Sequence, residues 1–350
     1  MRSTLDAFLT DIGKLRKFVE STGRVYRILA GHEDASVRAC LSIRRGLDYI
    51  AFIIALYAAF EKYVEELVWS YTELESTRRK YSELCDRLRT KHLKQSADLL
   101  NRGRLGEGRY TGVSEIDIVE NLNGCLTGKN PYKLNRHAVI HHDLNLRSNV
   151  VQEVFGALGI KNINAQACRV EEMRYWFSIS KGHESSSDEK VMSRVLELWL
   201  ENLVDRRNQV AHGGFDVAES LDTNEMQARL NFLEAYARSL FIVIKGAYLD
   251  YYIESGLAMS LGRPIGGPFE NGSVVVVSKP ACSVFVGQPI IGVRKGRVVQ
   301  WGEVLEIKVQ DVRVESVDPD FSTNDVGLRT NFKMTKGFEL YVLGNKDEMI

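Results

Sequence analysis

The chain has 350 residues, of which 44% are hydrophobic and 26% charged, and its 46 basic and 46 acidic residues give a formal net charge of zero. These values are typical of a soluble globular protein that is long enough for two domains. They exclude a global basic field that attracts nucleic acid, so any RNA binding must come from a local patch.

The cysteines and the apolar segments indicate the compartment. The chain has five scattered cysteines and no Cys-x-x-Cys pair, which argues against a disulfide framework and a zinc knuckle. Its first residues lack the apolar core of a signal peptide. The longest apolar run, Tyr49–Phe60, is shorter than the roughly 20 residues that a membrane-spanning helix needs. We expect a cytoplasmic protein that does not contact a membrane.

Three long segments follow the helical period. The first, Asp34–Glu75, predicts one or two helices. The second, Glu189–His212, has Ser187 or Asp188 as its N-cap and Gly213 just after its end. Between them we expect irregular material, including a mobile glycine-rich loop over residues 102–112. The third, Thr223–Ile253, carries apolar residues at alternating spacings of three and four, which favours the core of an intramolecular bundle over a dimer seam.

The composition changes near Gly256. Glycine and proline punctuate residues 262–268, and β-branched runs follow, which are typical of short strands separated by turns. These runs are residues 274–277, 283–291, 303–317 and 339–343. The sequence therefore predicts an α+β multidomain protein, with an all-α helical bundle over residues 1–255 and a small β-barrel or sandwich over residues 262–350.

A catalytic group is predicted at the end of the second long helix. Asn208 and His212 are four residues apart and share a helix face with Asp205, whereas Arg207 lies about 140° from His212 around the axis. Arg207 and His212 can converge on one phosphate if the helix loosens at Gly213, or if each comes from a different subunit. The alternative is that Arg207 and Asp205 form solvated surface pairs and that His212 only caps the helix.

These residue types suit RNA cleavage without a metal ion. In that reaction a 2′-hydroxyl attacks the adjacent phosphorus and the 5′-oxygen leaves, so a 2′,3′-cyclic phosphate forms. Histidine exchanges a proton near neutral pH, and arginine supplies a bidentate donor for the charge that develops on the phosphoryl oxygens. The sequence predicts neither a cofactor nor a metal ion.

The sequence RNQVAHG at residues 207–213 resembles the Arg-Asn-x-x-x-His helix of HEPN ribonucleases. Two further segments resemble the bacterial RiboL-PSP-like HEPN group: ALYAAFEKYVEELV at 55–68, and HHDLNLRSNVVQEVFGALGI at 141–160, which contains an Asn-Leu-Arg segment. The resemblance covers about residues 35–255.

The resemblance implies a helical bundle that forms a homodimer, with two copies of the motif meeting in one ribonuclease centre. It implies that Arg207 and His212 are catalytic and that Asn208 positions the phosphate or the histidine. Glu61 is a weaker active-site candidate, with a solvated surface carboxylate as the alternative. Many toxin members have a tyrosine two residues after the histidine, where this chain has Gly214, so a role of that tyrosine does not carry over.

Two weaker signals concern RNA and metal. Residues 78–109 carry six more basic than acidic residues and predict an RNA-backbone groove, with a solvated helix face as the alternative. The RNA-binding candidates are Arg78, Arg79, Lys80, Arg87, Arg89 and Lys91.

The cluster His137, His141, His142 and Asp143 contains residue types that bind metal ions. No matching partner motif is nearby, so we predict no metal site.

The C-terminal β region loosely resembles the domain-2 barrel of translation factors. In that comparison Trp301 and the turn Arg294-Lys295-Gly296-Arg297 are the contact points for RNA or protein, with an ordinary hairpin loop as the alternative. Together, the residues and the resemblance to HEPN ribonucleases imply a dimeric endoribonuclease that cleaves RNA, for example tRNA or mRNA, in antiphage defence or toxin-type RNA restriction, with a regulatory protein partner. The alternative is a non-catalytic HEPN scaffold that binds RNA or a partner protein.

Overall fold

The computed structural model of the chain describes residues 1–101, 105–180, 188–213, 220–319 and 325–344. These residues divide into two units, Met1–Val243 and Ile244–Ile350. In the described part of the chain the α-helices are α1 (Arg2–Leu29), α2 (Ala35–Arg78), α3 (Asp86–Asn101), α4 (Glu115–Leu126), α5 (Arg136–Ile140), α6 (Ser148–Ala157), α7 (Ile163–Arg169), α8 (Glu171–Ser180), α9 (Glu189–Ala211) and α10 (Thr223–Glu254).

The three predicted long helices are confirmed as α2, α9 and α10. Helix α2 begins after Asp34, whose carboxylate accepts a hydrogen bond from Ser36 N at 2.7 Å. The apolar run predicted as a core segment lies in the middle of α2, where Phe52, Leu56 and Phe60 are fully buried. Within the described ranges, no helix has both the length and the apolarity to cross a bilayer.

The expectation of irregular material between the first two long helices is wrong. Six helices, α3 to α8, occupy most of residues 86–180. They are stabilised by local caps and by buried polar contacts. At the start of α4, Ser114 and Asp117 form a capping box. Between helices, His92 Nε2 accepts the Asn135 backbone N–H at 2.9 Å. Residues 102–104 of the predicted loop lie outside the described residues.

The apolar seam of α10 lies in the protein core. Of the eight apolar positions at these spacings, Ala247 and Tyr251 are partly buried and six are buried, which agrees with an intramolecular bundle core rather than a dimer seam. The six buried residues are Met226, Leu230, Leu233, Ala237, Leu240 and Ile244.

The second unit contains the end of α10 and an antiparallel sheet. Its strands are β1 (Met259–Gly262), β2 (Gly266–Phe269), β3 (Val274–Val277), β4 (Val284–Phe285), β5 (Pro289–Arg294), β6 (Arg297–Val309), β7 (Val312–Val314), β8 (Ser316–Val317), β9 (Val326–Thr330) and β10 (Glu339–Val342). The main sheet has the order β1-β10-β5-β6-β9-β3-β2, and β7 also pairs with β6, whereas β4 and β8 form a separate pair.

The predicted strand regions contain strands, but two of them are divided. Residues 283–291 contain β4 and the first half of β5, separated by a turn with Gly287 at φ +82°. The region 303–317 contains most of β6 together with β7 and β8. Strands β1, β2 and β9 were not predicted from the sequence. The prediction of an α+β protein is confirmed, and the sheet forms a half-barrel in which the described edge strands β1 and β2 do not pair with each other.

Candidate functional site

Helix α9 ends at the predicted histidine. The Asp188 carboxylate caps its start by accepting from Lys190 N at 2.9 Å, and Ser187 lies outside the described residues. At the other end, His212 N donates to Asn208 O at 3.0 Å, and Gly213 follows with φ +72°, a conformation that glycine adopts easily. The His212 side chain is exposed, and within the described residues it forms no side-chain hydrogen bond, ion pair or ring contact.

Arg207 is held against α2 without being neutralised. Its guanidinium lies over the ring of Tyr57, 5.4 Å from the ring centroid, and its Nη1 donates to Asn208 Oδ1 at 3.3 Å. Among the residues that the structure describes, no carboxylate lies within ion-pair distance of this half-buried guanidinium. A charge placed this way keeps donors available for an anionic ligand.

Asn208 is fixed by a residue from the Asn-Leu-Arg segment. Asn145 Nδ2 donates to Asn208 Oδ1 at 2.9 Å, so this one amide oxygen accepts from both Asn145 and Arg207. The other end of Asn145 reaches Tyr57, whose hydroxyl lies 3.3 Å from Asn145 Oδ1. Since its oxygen is fixed, the Asn208 amide nitrogen points away from these partners. That nitrogen has no described hydrogen-bond acceptor.

Tyr57 connects Glu61 to the same network. Its hydroxyl oxygen accepts from Leu146 N at 3.0 Å. Its single proton has two acceptors within reach, Glu61 Oε1 at 3.1 Å and Asn145 Oδ1 at 3.3 Å from the hydroxyl oxygen. Burial, with a smaller effect from Glu61, raises the pKa of Tyr57, so the hydroxyl remains a donor. The structure therefore brings Glu61, Asn208 and Arg207 together. His212 lies one helical turn beyond Asn208.

Arg147, the last residue of the Asn-Leu-Arg segment, forms a clamp on α9. Its guanidinium pairs with Glu201 and, at 2.5 Å, with Asp205. Asp205 therefore binds Arg147 rather than acting with His212, which the shared helix face suggested. Asn145 binds Asn208, so this short segment contacts α9 at Glu201, Asp205 and Asn208. These three residues are spaced four and three apart and therefore lie on one face of the helix. The sequence contained the segment but gave no indication of its partner.

A second group of charges lies beside Glu61. His142 Nε2 is 3.3 Å from Glu65 and 4.0 Å from Glu61, and Arg109 binds Glu65 at 3.1 Å. Burial lowers the pKa of His142, but the contact with Glu65 and the nearby carboxylates outweigh it and raise that pKa above the ordinary value. Burial raises the pKa of Glu65, but His142 and Arg109 outweigh it and lower that pKa. His142 and Glu65 thus favour each other's charged forms.

The six predicted RNA-binding residues lie in different environments. Arg78 and Arg79 both bind Glu75, and Arg89 binds Asp86. Burial lowers the pKa of Lys91 to about 8. Lys80 and Arg87 are exposed, and the neighbouring Arg102 and Arg104 lie outside the described residues. RNA binding by this segment stays a prediction.

The histidine cluster is divided between different partners. His141 binds Asp143 at 2.9 Å, His142 faces Glu65, and His137 packs edge-on against Tyr110. The ranges that the structure describes contain no group of three or more histidine, cysteine or acidic side chains arranged to hold a metal ion.

The predicted turn of the second unit is a two-residue hairpin. Arg294 pairs with Arg297, and Lys295 and Gly296 between them have positive φ angles of 52° and 72°. Arg297 also binds Asp250 at 3.0 Å.

A family comparison covers the residues of this network. A family model described as RiboL-PSP-HEPN matches residues 32–246, which is more than half of the chain. The matched range extends from just before α2 into α10, so it contains the whole network around Asn208. No curated protein and no solved structure is significantly similar to the chain.

Proposed function

The chain belongs to the RiboL-PSP-HEPN family, and on this premise we propose that it is a metal-independent endoribonuclease. The observation that carries the proposal is Arg207, a half-buried guanidinium that rests on Tyr57, touches Asn208 and has no carboxylate partner in the described part of the chain. A phosphodiester supplies the negative charge that this position lacks.

Each residue takes one role in the proposed reaction. The 2′-hydroxyl attacks the phosphorus and releases its proton to water, the bond to the 5′-oxygen breaks, and a 2′,3′-cyclic phosphate forms. His212 donates a proton to the leaving 5′-oxygen. Arg207 and the Asn208 amide nitrogen stabilise the charge on the phosphoryl oxygens. Glu61 acts through Tyr57, whose hydroxyl holds Asn145 and thereby Asn208.

The placement of Arg207 and His212 supports a composite site. They lie five residues apart on α9, about 7.5 Å along the axis and on different sides of the helix. We therefore propose that two copies of the chain form a homodimer in which Arg207 and His212 of different copies act on one phosphate.

We propose the wider setting on the same premise. The substrate is cellular or phage RNA, such as tRNA or mRNA, the protein works in the cytoplasm in antiphage defence or toxin-type RNA restriction, and a regulatory protein controls it. The C-terminal half-barrel binds the RNA or that partner through Trp301 and the Arg294–Arg297 turn.

The test is cleavage of purified tRNA and mRNA in excess EDTA by the wild-type protein, His212→Ala and Gln209→Ala. Gln209 is exposed on the same helix and serves as the matched control. We expect the wild type and Gln209→Ala to leave 2′,3′-cyclic phosphate ends and His212→Ala to leave the RNA intact. If all three proteins bind RNA and none cleaves it, the ribonuclease proposal fails and the non-catalytic scaffold takes its place.

A further inference from the structure

A second arginine group lies on the neighbouring face of α9. Arg206, next to Arg207 in the chain, donates from Nε to Asn202 Oδ1 at 3.1 Å and from Nη1 to the Tyr49 hydroxyl at 2.8 Å. Arg229, from α10, donates from Nη2 to the same Asn202 oxygen at 2.8 Å. Two guanidinium groups from different helices therefore converge on one neutral amide oxygen.

Arg229 is placed where a cation is costly. Its guanidinium lies over the ring of Trp199, 5.7 Å from the centroid, and no described carboxylate is within ion-pair distance. Burial, together with the charge of Arg206, lowers the pKa of Arg229 to about 10. By contrast, Arg238 on the same helix binds Glu234 at 2.9 Å. The repulsion between Arg206 and Arg229 would be relieved by an anion bound between them.

We propose that Arg229 and Arg206 form a phosphate subsite that binds a backbone phosphodiester of RNA next to the phosphate held by Arg207. The proposal rests on the proposed function, since it assigns to the same RNA a second contact beyond the cleaved bond. Guanidinium groups match the two non-bridging oxygens of a phosphodiester. Hydrogen bonds to Asn202 orient both groups before binding, and the Trp199 ring also orients Arg229. The contact reads no base, so it contributes affinity without sequence preference.

The experiment measures binding without cleavage. A fluorescent single-stranded RNA is titrated by anisotropy against His212→Ala at several salt concentrations, and then against the double variants that add Arg229→Gln, Arg229→Lys or Arg238→Gln. We expect Arg229→Gln to weaken binding and to reduce the slope of log K against log salt by about 0.7, the value for one phosphate contact on a single strand. Arg229→Lys retains the charge and the slope, and the control Arg238→Gln matches the parent.

The outcomes separate this proposal from the ribonuclease proposal. If Arg229→Gln leaves the affinity and the salt slope of RNA binding unchanged, the subsite proposal is overturned even if the wild type cleaves RNA. The proposal is also overturned if the parent, His212→Ala, binds no RNA. A reduced slope supports the subsite even if the wild type cleaves nothing. If Arg229→Gln does not fold, an Arg229→Lys slope equal to that of the parent supports the subsite and a reduced one overturns it. Saturable binding of inorganic phosphate with equal affinity to that of the RNA would assign the pair to free phosphate and overturn the RNA assignment.

Discussion

Replacing Asn145 with alanine removes the side chain of the Asn-Leu-Arg segment that donates a hydrogen bond to Asn208. The lost hydrogen bond is 2.9 Å long and partly buried, and a bond of this kind contributes about 0.5–1.5 kcal/mol. The contact between Asn145 and Tyr57 is longer, at 3.3 Å, and the Tyr57 proton retains Glu61 as an acceptor, so it contributes less. We expect a coupling energy between Asn145 and Asn208 of about 1 kcal/mol, which corresponds to a factor of roughly five.

A double-mutant cycle measures this coupling. The wild type, Asn145→Ala, Asn208→Ala and the double variant are compared by the free energy of unfolding in urea and by kcat/KM for RNA cleavage. Asn149→Ala, an exposed asparagine four residues further on, is the control for a general effect of the substitution. We expect the double variant to be less impaired than the sum of the single variants. Additivity within about 0.3 kcal/mol in both measurements would refute the positioning of Asn208 by Asn145.

Three further predictions concern other parts of the structure. A Cβ on Gly302 would lie 1.8 Å from Asn331 Oδ1. Gly302→Ala should therefore lower the free energy of unfolding, measured by calorimetry, by about 1–3 kcal/mol. A change below about 0.5 kcal/mol would contradict this close packing. The His142–Glu65 pair should stabilise the fold fully between pH of about 4.5 and 6.5, and lose effect as pH falls through the lowered pKa of Glu65 or rises through the raised pKa of His142. The difference in unfolding free energy between wild type and His142→Gln against pH should therefore peak in this window, and a flat profile is the contrary result. Arg147→Gln should lower the free energy of unfolding by at most about 1 kcal/mol, because the carboxylate partners of Arg147 are partly exposed. It should nevertheless lower kcat by more than the loss of folded protein explains, and Arg147→Lys should partly restore kcat.

Helices α2, α9 and α10 could be predicted because each carries its own signals. Helix α9 has a capping aspartate, Asp188, a continuous apolar face and a glycine after its last turn, so its bounds were correct nearly to the residue. Helices α3 to α8 could not be predicted in the same way. Each of them has 16 residues or fewer, and segments of this length are marginal helices until tertiary contacts stabilise them.

The catalytic candidates were predictable, but what holds them in place was not. Arg207, Asn208 and His212 lie within six residues of one helix, so their spacing could be recognised in the sequence. The residues that orient Asn208 come from far away: Asn145 is 63 residues before it, and Tyr57 a further 88 residues before Asn145. Only the fold brings these residues together, and hydrogen bonds between distant side chains leave no periodic pattern in the sequence.

The same reasoning explains why local charge density is a poor guide to where RNA binds. The segment 78–109 is the most basic stretch that the sequence offered, yet Arg78 and Arg79 bind Glu75, three and four residues earlier on the same helix. A guanidinium that is already paired gains little from a phosphate, because it must first give up its carboxylate. Arg207 and Arg229 come from less basic segments, but they meet aromatic rings and neutral amides in place of described carboxylates. The attraction of a surface for RNA therefore depends on which charges the fold leaves unneutralised, and on this criterion the last turns of α9 are favoured over the predicted basic groove.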